Sequence, residues 1–291
     1  MKIALRKQWV FLDYITVLKP VETSLLTFIG ICSVFIAAAG YPSAKVFFLA
    51  LIAIFLGSAG SNGLTNYLDR NVDARMKRTS NRALASKRID PPQKALPLII
   101  GLILIGLALA WMLHPLCFLV GIIGVIASSI WRKTISCTFL GIVAGCAPVL
   151  IGWFAVSPAF DARILLLCGL VAIWTPIHVW TLMIANREDY LGAGLSYFPL
   201  SWQVKDVVKL LFGLSILLYL VSMLIYIVAD FRLFYLIIAN IIGGLMVYAN
   251  ARLLWSKTSI AAWRVYKLSA FPYLGIIFLT MCVDIWLTSG T

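Results

Sequence analysis

Charged residues are scarce in this chain of 291 residues. Asp, Glu, Lys and Arg together make up 12% of it, and only 11 residues are acidic. Apolar residues make up 62%, and the mean hydropathy is +0.99. Soluble globular domains typically carry about 25% charged residues. This composition therefore excludes that class and indicates an integral membrane protein.

Several sequence patterns are also missing. Strict alternation of apolar and polar residues is absent, which excludes the lipid-facing strands of a barrel. The six cysteines form no C-x-x-C pair, so we expect packing residues rather than disulfides or metal ligands. No cleavable signal peptide, solenoid-type repeat or soluble second domain is evident, so we expect one transmembrane domain over residues 1–291. The cysteines are Cys32, Cys117, Cys137, Cys146, Cys168 and Cys282.

Long apolar stretches are abundant instead. Nine of them have roughly 17 to 25 residues, the length that a helix needs to cross a hydrocarbon core of about 30 Å. Backbone groups in lipid must bond within their own segment, so helices are the expected structure. The sequence therefore predicts an all-α, polytopic membrane protein with a single bundle of nine transmembrane helices. The stretches are 23–40, 46–66, 95–113, 115–131, 138–157, 163–185, 207–229, 231–254 and 269–288.

Basic residues are distributed unevenly between the connections. Of the 24 Lys and Arg residues, 21 lie in the N-terminal segment and in the connections after spans two, four, six and eight. The positive-inside rule then predicts a cytoplasmic N-terminus and, after nine spans, a C-terminus outside. We expect a multi-pass protein of the cell membrane, with the lipid bilayer as a partner. Because topology accounts for most of the net charge of +13, no nucleic-acid partner is expected.

The stretch TNYLDRNVDARMKRTSNR, residues 65–82, places two aspartates four residues apart at the end of the second apolar run. On a helix, Asn62, Asn66, Asp69 and Asp73 fall within about 60° of one another. Such hard oxygen donors suit Mg²⁺, which completes its shell with water and phosphate oxygens. The alternative is a pair of solvated helix-end charges bridged to neighbouring arginines. The cations that would compensate a diphosphate beside the aspartates are Arg70, Arg75, Lys77, Arg78 and Arg82.

A second polar cluster lies at the end of the sixth apolar run, in WTPIHVWTLMIANREDYLGAGLSYFP. It contains Glu188 and Asp189, and Asp189 falls within about 20° of His178 on a helix. Two carboxylate-bearing helix ends with flanking Lys or Arg resemble two halves of a clamp for diphosphate and Mg²⁺. Taken alone, Asp189 would be an interfacial charge, and His178 would more commonly be hydrogen-bonded to a neighbouring helix.

These motifs resemble the UbiA-type intramembrane prenyltransferase superfamily and, within it, the branch that farnesylates heme. The superfamily's first motif has the form N-x-x-x-D-x-x-x-D, and TNYLDRNVD keeps both aspartates while Thr65 takes the first position. The resemblance extends over residues from about 12 to 200, and the last three spans match only in hydropathy. The segments that carry the heme-specific resemblance are LKP (18–20), MKRTSNRAL (76–84), GCAPVLIGW (145–153), WTPIHVW (174–180) and REDYLGAG (187–194).

The resemblance implies transfer of a farnesyl group from farnesyl diphosphate to a vinyl group of heme B, which gives heme O. It implies Mg²⁺ as the cofactor, heme B as a substrate, and an active site that faces the cytoplasm. Heme A synthase or terminal oxidase assembly factors are the implied downstream partners. Asp69, Asp73 and Asp189 are the expected catalytic residues, and His178 is expected to bind heme through iron or a propionate. The expected metal ligands are Asn62, Asn66, Asp69, Asp73 and Asp189. The expected diphosphate ligands are Lys77, Arg78, Arg82 and Arg187, with Lys19, Arg132 and Lys133 as weaker candidates.

The chain departs from the superfamily pattern beside the second cluster. After Gly194 the superfamily usually has an Ile-Pro-Met-Leu-Pro-like segment, whereas residues 195–199 read LSYFP, and Ala185 and Asn186 replace aromatic and basic residues. These changes bear on the acceptor more than on the diphosphate chemistry. One alternative is an intramembrane prenyltransferase with a quinone-precursor or lipid acceptor. Another is a transporter or lipid phosphotransferase, although neither a D-G-x-x-A-R opening nor inverted-repeat broken helices are evident.

Overall fold

The computed structural model describes residues 11–130, 132–134 and 136–289. This part of the chain is helical and contains no strand, which confirms the all-α prediction. The helices are α1 (Pro20–Ala37), α2 (Ala44–Asp73), α3 (Leu96–Leu113), α4 (Pro115–Ser129), α5 (Ser136–Phe154), α6 (Ala162–Ala185), α7 (Arg187–Gly192), α8 (Val204–Val228), α9 (Leu233–Ser256), α10 (Ser259–Leu268) and α11 (Leu274–Ser289), with a 3₁₀ turn at Pro92–Ala95 and a π-helical segment at Ser269–Tyr273.

Each of the nine predicted apolar stretches is largely helical where the structure describes it, but the helices differ in length. Within the described residues, eight helical segments are long and apolar enough to cross a membrane. The exception is α4, whose 15 residues extend only about 22 Å, less than a hydrocarbon core of about 30 Å. The count of nine spans and the orientation therefore stay predictions. Residues 1–10, on which the orientation partly rests, lie outside the described part of the chain.

Helix α2 carries the first motif past the end of its predicted span at residue 66. It has 30 residues and is therefore about 45 Å long, which exceeds the hydrocarbon core by several turns. It begins where the Ser43 side chain accepts the N–H of Val46 and ends at Asp73. The predicted stripe of Asn and Asp side chains consequently lies on one continuous helix.

Glycine allows α1 and α5 to approach each other closely. A Cβ atom on Gly152 would lie only 2.1 Å from the carbonyl oxygen of Gly30, so no other residue fits there without moving backbone. One turn away, the hydroxyl of Ser33 donates to the carbonyl of Val149 over 2.8 Å. Helix α1 also contacts α2 and α11, and α6 contacts α5, α8 and α10. These contacts bring the two predicted motif helices into one bundle.

The last predicted span, 269–288, is bent where it begins. Pro272 lies within the π-helical segment, and Ala270 has a non-helical backbone with φ −63° and ψ −138°. Proline has no N–H to donate and disrupts the helical ladder. The bend between α10 and α11 places Ser269 against α6.

The six cysteines are free. Cys32, Cys117 and Cys146 are buried among the helices. His114, a residue with no predicted role, caps α4: its Nδ1 accepts the N–H of Leu116 over 3.2 Å.

Candidate active site

Asp69 lies in a buried ion-pair cluster at the C-terminal end of α2. Its side chain is 3% exposed, and the guanidinium of Arg132 binds both of its carboxylate oxygens. The ammonium of Lys133 lies 3.6 Å from the same carboxylate. Arg132 and Lys133 lie between α4 and α5, and their side chains reach Asp69 near the end of α2. Two of the weaker sequence candidates are therefore direct partners of the first aspartate.

Asp73 forms the second part of this cluster. It is fully buried, and its Oδ2 accepts a hydrogen bond from Arg82 over 2.7 Å. The hydroxyl of Thr79 donates to the Asp73 carbonyl over 3.0 Å, so the loop after α2 returns to the helix that it left. This local folding explains how a cation nine residues along the chain reaches the second aspartate.

Lys19 adds a further cation from the start of α1. Its ammonium donates to the hydroxyl of Thr65, the first position of the motif, over 2.9 Å. Lys19 has a left-handed backbone (φ 49°), an uncommon conformation for a residue with a side chain and one that recurs at functional sites. Burial, together with the guanidinium groups of Arg82 and Arg132, lowers the pKa of Lys19 to about 8.

The charges in this cluster do not balance. Three carboxylates, those of Asp69, Asp73 and Glu22, lie among four cations, Lys19, Arg82, Arg132 and Lys133, which leaves an excess of one positive charge. Positive charge held in a partly buried site is costly unless an anion compensates it. The arrangement is therefore suited to a polyanion such as a diphosphate.

Two oxygens in the cluster are available to a metal ion. Asn66 Oδ1 and Asp73 Oδ1 are buried, and neither has a hydrogen-bond partner in the structure. A buried acceptor without a partner costs about 1–3 kcal/mol, and both atoms are hard donors of the kind that Mg²⁺ prefers. No group of three or more His, Cys, Asp or Glu residues is arranged to hold a metal within the described part of the chain. A metal here would thus need water or phosphate oxygens to complete its shell.

Asp189 is engaged differently from the two aspartates on α2. Its carboxylate accepts the backbone N–H groups of Lys77 and Arg78 over 2.6 and 3.1 Å. It thereby anchors the loop after α2 to α7. The structure does not bring Asp189 into one metal-binding group with Asp69 and Asp73, and its role as a metal ligand stays a prediction.

The remaining predicted diphosphate ligands lie around this anchor. Lys77 and Arg187 line a cavity of about 650 Å³ together with Asp189. The guanidinium of Arg78 lies 3.5 Å from the hydroxyl of Tyr190. Tyr190 also links this group to the first motif, because Nζ of Lys133 lies 5.8 Å from the centroid of its ring.

A second, mostly apolar cavity of about 340 Å³ lies between α1, α2, α3, α4, α5 and α6. Its volume falls in the range of small-molecule sites, about 300–1,000 Å³. Asn62 lines it and also donates to the hydroxyl of Thr23 over 3.0 Å. Ser128 lines it too, and the carbonyl of Ser128 accepts a hydrogen bond from Arg132. The cavity thus adjoins the charged cluster through Asn62 on α2 and Ser128 on α4.

His178 lines the same cavity from α6. Its ring stacks on Trp174 with centroids 4.8 Å apart and lies 4.7 Å from the ring of Tyr266. Its Nδ1 is 3.0 Å from the hydroxyl of Ser269. The alternative interpretation of His178 was a hydrogen bond to a neighbouring segment, and this hydrogen bond is present. It uses only one of the two ring nitrogens.

Three residues near the cavity were missed by the sequence analysis: Glu22, Tyr266 and Ser269. Glu22 lines the cavity, and because acids are rare in this chain, an acid beside the first apolar run was a usable signal. Tyr266 and Ser269 had no such signal. Tyr266 lies between the last two predicted spans and Ser269 is the first residue of the ninth, and only the packing of α10 and the following bend against α6 brings them to His178.

Residues 24–274 match the UbiA prenyltransferase family. The chain belongs to this family. It is accordingly a transferase and, with its eight long apolar helices, a multi-pass integral membrane protein. The family resemblance predicted from the motifs is confirmed.

Several curated members of the UbiA family resemble the chain over nearly its whole length. A protoheme IX farnesyltransferase of Desulforudis audaxviator is 34% identical over 281 residues, covering 94% of this chain and 88% of that protein. A protein of the same name from Photobacterium profundum is 31% identical over 284 residues, covering 95% and 89%. Protoheme IX farnesyltransferase 1 of Cenarchaeum symbiosum is 32% identical over 286 residues, covering 94% and 95%.

Solved structures of UbiA-type proteins share the fold. A digeranylgeranylglyceryl phosphate synthase superposes with a TM-score of 0.77 at 20% identity, covering 94% of this chain and 98% of that one. A UbiA homologue from Archaeoglobus fulgidus, solved with GPP and Mg²⁺, superposes with a TM-score of 0.66 at 16% identity, covering 92% and 99%. At these identities the likeness concerns the fold alone.

Proposed function

We propose that this protein transfers a farnesyl group from farnesyl diphosphate to a vinyl group of heme B and so makes heme O. The curated relatives at 31–34% identity are named protoheme IX farnesyltransferase. The observation that carries the proposal is structural: a carboxylate pair with an excess of cations adjoins an apolar cavity that contains His178. The charged cluster suits a diphosphate, and the apolar cavity suits the porphyrin ring of a heme and its iron.

The charged cluster is the proposed diphosphate end. Lys19, Arg82, Arg132 and Lys133 would bind the anion. Breaking the allylic C–O bond adds negative charge to the departing diphosphate, and fixed cations in a partly buried site stabilise that charge. The role of the cations on the 74–94 loop and α7 as ligands of the same anion stays a prediction. These cations are Arg78, Lys77 and Arg187.

A divalent metal fits the same end. The solved Archaeoglobus fulgidus homologue contained Mg²⁺, and we infer that Asp69, Asp73 and Asn66 would hold Mg²⁺ here, with Asn62 one turn away on the same face. When bound, Mg²⁺ would neutralise part of the diphosphate charge. The unpartnered oxygens of Asn66 and Asp73 support this assignment.

The apolar cavity protects the reaction from solvent. The allylic carbon that loses diphosphate forms a bond to the terminal vinyl carbon, and the vinyl carbon next to the porphyrin ring takes a hydroxyl from one water molecule, with release of a proton. Bulk water would capture the allylic cation before the vinyl group reached it. A cavity walled by apolar side chains excludes that side reaction.

We also propose that the site faces the cytoplasm of a cell (plasma) membrane. The basic residues support this side: most of them lie on the connections at the motif end of the bundle.

Pigment analysis tests the proposed function. The chain is expressed in a bacterial host without its own heme O synthase. Hemes extracted from the membranes are separated, and their masses are measured by mass spectrometry. We expect a new heme whose mass exceeds that of heme B by one farnesyl group and one hydroxyl. A host without the gene provides the control. Unchanged heme together with a newly prenylated quinone precursor or lipid would overturn the heme proposal and support the alternative acceptor.

A further inference from the structure

The ring of His178 is held in one orientation by its neighbours. Trp174 stacks on one side with an interplanar angle of 15°, and Tyr266 lies against it at 32°. The indole N–H of Trp174 donates to the carbonyl of Ser269, which fixes the backbone that presents the Ser269 hydroxyl. His178 is therefore clamped between three residues, one from its own helix and two from the segment that bends beside it.

The two hydrogen-bond contacts of the Ser269 hydroxyl favour a proton on one of the two ring nitrogens of His178. The hydroxyl of Ser269 lies 2.9 Å from the carbonyl oxygen of Tyr266. A carbonyl can only accept, so this contact is a hydrogen bond when it takes the single hydroxyl hydrogen; the same carbonyl also accepts the backbone N–H of Ser269. The contact of 3.0 Å between Ser269 Oγ and His178 Nδ1 then requires Nδ1 to donate. Both hydrogen bonds are satisfied only when Nδ1 is protonated.

Nε2 is consequently the nitrogen with a free lone pair. No carboxylate pairs with His178 in the described part of the chain, and a charged imidazole in an apolar cavity would be costly. A neutral imidazole has one N–H, which Ser269 already binds. Among the described residues Nε2 has no hydrogen-bond partner, and the side chain lines the apolar cavity.

We propose that Ser269 is a positioning residue that holds His178 in the Nδ1–H tautomer, so that the unprotonated Nε2 donates its electron pair to the iron of a heme in the cavity. This inference rests on the proposed function for the identity of the ligand. Metal-binding histidines generally donate their other ring N–H to a hydrogen-bond acceptor, which sets the tautomer and the ring orientation. Ser269 is in the position of that acceptor.

Nitrogen NMR of the protein without heme tests the tautomer directly. The chain has only two histidines, so protein labelled with ¹⁵N-histidine gives two sets of imidazole signals, and a His114→Gln variant assigns them. We expect His178 to have a protonated Nδ1 and an unprotonated Nε2, distinguished by their couplings to the ring carbon protons. A protonated Nε2, or a doubly protonated ring, would overturn the proposal.

A matched pair of variants tests the effect on heme. Ser269→Thr keeps the hydroxyl. Ser269→Val introduces a side chain of nearly the same shape as threonine but without the hydroxyl. Loss of a partner that orients a metal ligand typically weakens metal binding by about 10- to 100-fold. We expect weaker hemin binding of this size and a shifted Soret band for Ser269→Val, with Ser269→Thr close to the wild type.

The two proposals fail in different ways. If wild-type protein makes heme O while Ser269→Thr and Ser269→Val have the same hemin spectrum and affinity, the role of Ser269 is overturned and the proposed function stands. If wild-type protein neither binds hemin nor makes heme O, the heme function fails, and the iron-binding role of Nε2 fails with it.

Discussion

The two aspartates of α2 differ in how they are satisfied. Both oxygens of Asp69 are bound by Arg132, whereas Asp73 has one oxygen bound by Arg82 and one without a partner. Each carboxylate therefore has two possible uses, as the counter-ion of a guanidinium and as a ligand for a hard cation. Cations outnumber carboxylates around the pair. Some of these cations can therefore bind an incoming anion while others stay paired with the carboxylates.

Replacing either aspartate with its amide tests this assignment. An amide is a neutral and poorer ligand for Mg²⁺, so we expect Asp69→Asn and Asp73→Asn to lower the turnover of farnesyl diphosphate about 100-fold or more. Asp206→Asn provides the control, since Asp206 is an exposed acid that only approaches Lys209 at 3.6 Å on the surface. Rates near that of the wild type in both motif variants would return Asp69 and Asp73 to a structural role.

At the scale of helices, the bundle depends on close contact between α1 and α5. Gly152→Ala would place a Cβ against the backbone of Gly30, and overpacking of this kind typically costs about 1–3 kcal/mol. We expect a lower Tm in detergent. Gly169→Ala on α6 is the matched control, because no atom lies within 4 Å of the added Cβ and alanine favours helix. Equal melting temperatures for the two variants would contradict this packing.

The attachment of the 74–94 loop to α7 gives a second prediction at this scale. Asp189→Ala removes the acceptor for the N–H groups of Lys77 and Arg78. We expect faster cleavage by trypsin in this basic loop, measured by mass spectrometry of the fragments. Glu188→Ala changes the exposed neighbouring acid, and trypsin should cleave this variant at the wild-type rate. If Asp189→Ala leaves cleavage unchanged but raises the Mg²⁺ concentration that activity requires, Asp189 acts as the predicted metal ligand and not as a loop anchor.

At the scale of the whole molecule, the number of spans decides where the chain ends. Nine crossings place the two termini on opposite sides of the membrane, and the basic connections place the 74–94 loop in the cytoplasm. The short helix α4 is the segment on which this count depends.

Reporter fusions test the count. We expect an enzyme that is active only outside the cytoplasm, such as alkaline phosphatase, to be active when fused after Thr291 and inactive within the 74–94 loop. A cytoplasmic reporter such as green fluorescent protein should show the reverse. Cytoplasmic activity after Thr291 would mean that one predicted span, α4 above all, does not cross.

Much of this architecture could be predicted because it depends on local properties of the chain. Apolar length determines helices in lipid, and the period of 3.6 residues places Asn62, Asn66, Asp69 and Asp73 on one face of α2. The family motifs lie in these same short segments. Helix boundaries were displaced by only a few residues at most ends, although α2 continued to Asp73 because polar residues can extend a helix beyond the membrane.

The partners of these residues could be known only from the tertiary structure. Arg132 is 63 residues from Asp69, and Ser269 is 91 residues from His178; no local period links such positions. Arg132 was a weak candidate by sequence and binds the first aspartate, whereas Asp189 was a strong metal candidate and binds the backbone of a loop. The sequence by itself determined the membrane helices, the family and the oxygen-bearing face, because composition and helical period act over a few turns. The packing of separate helices decided which charges meet, since that depends on how distant segments fill the same space.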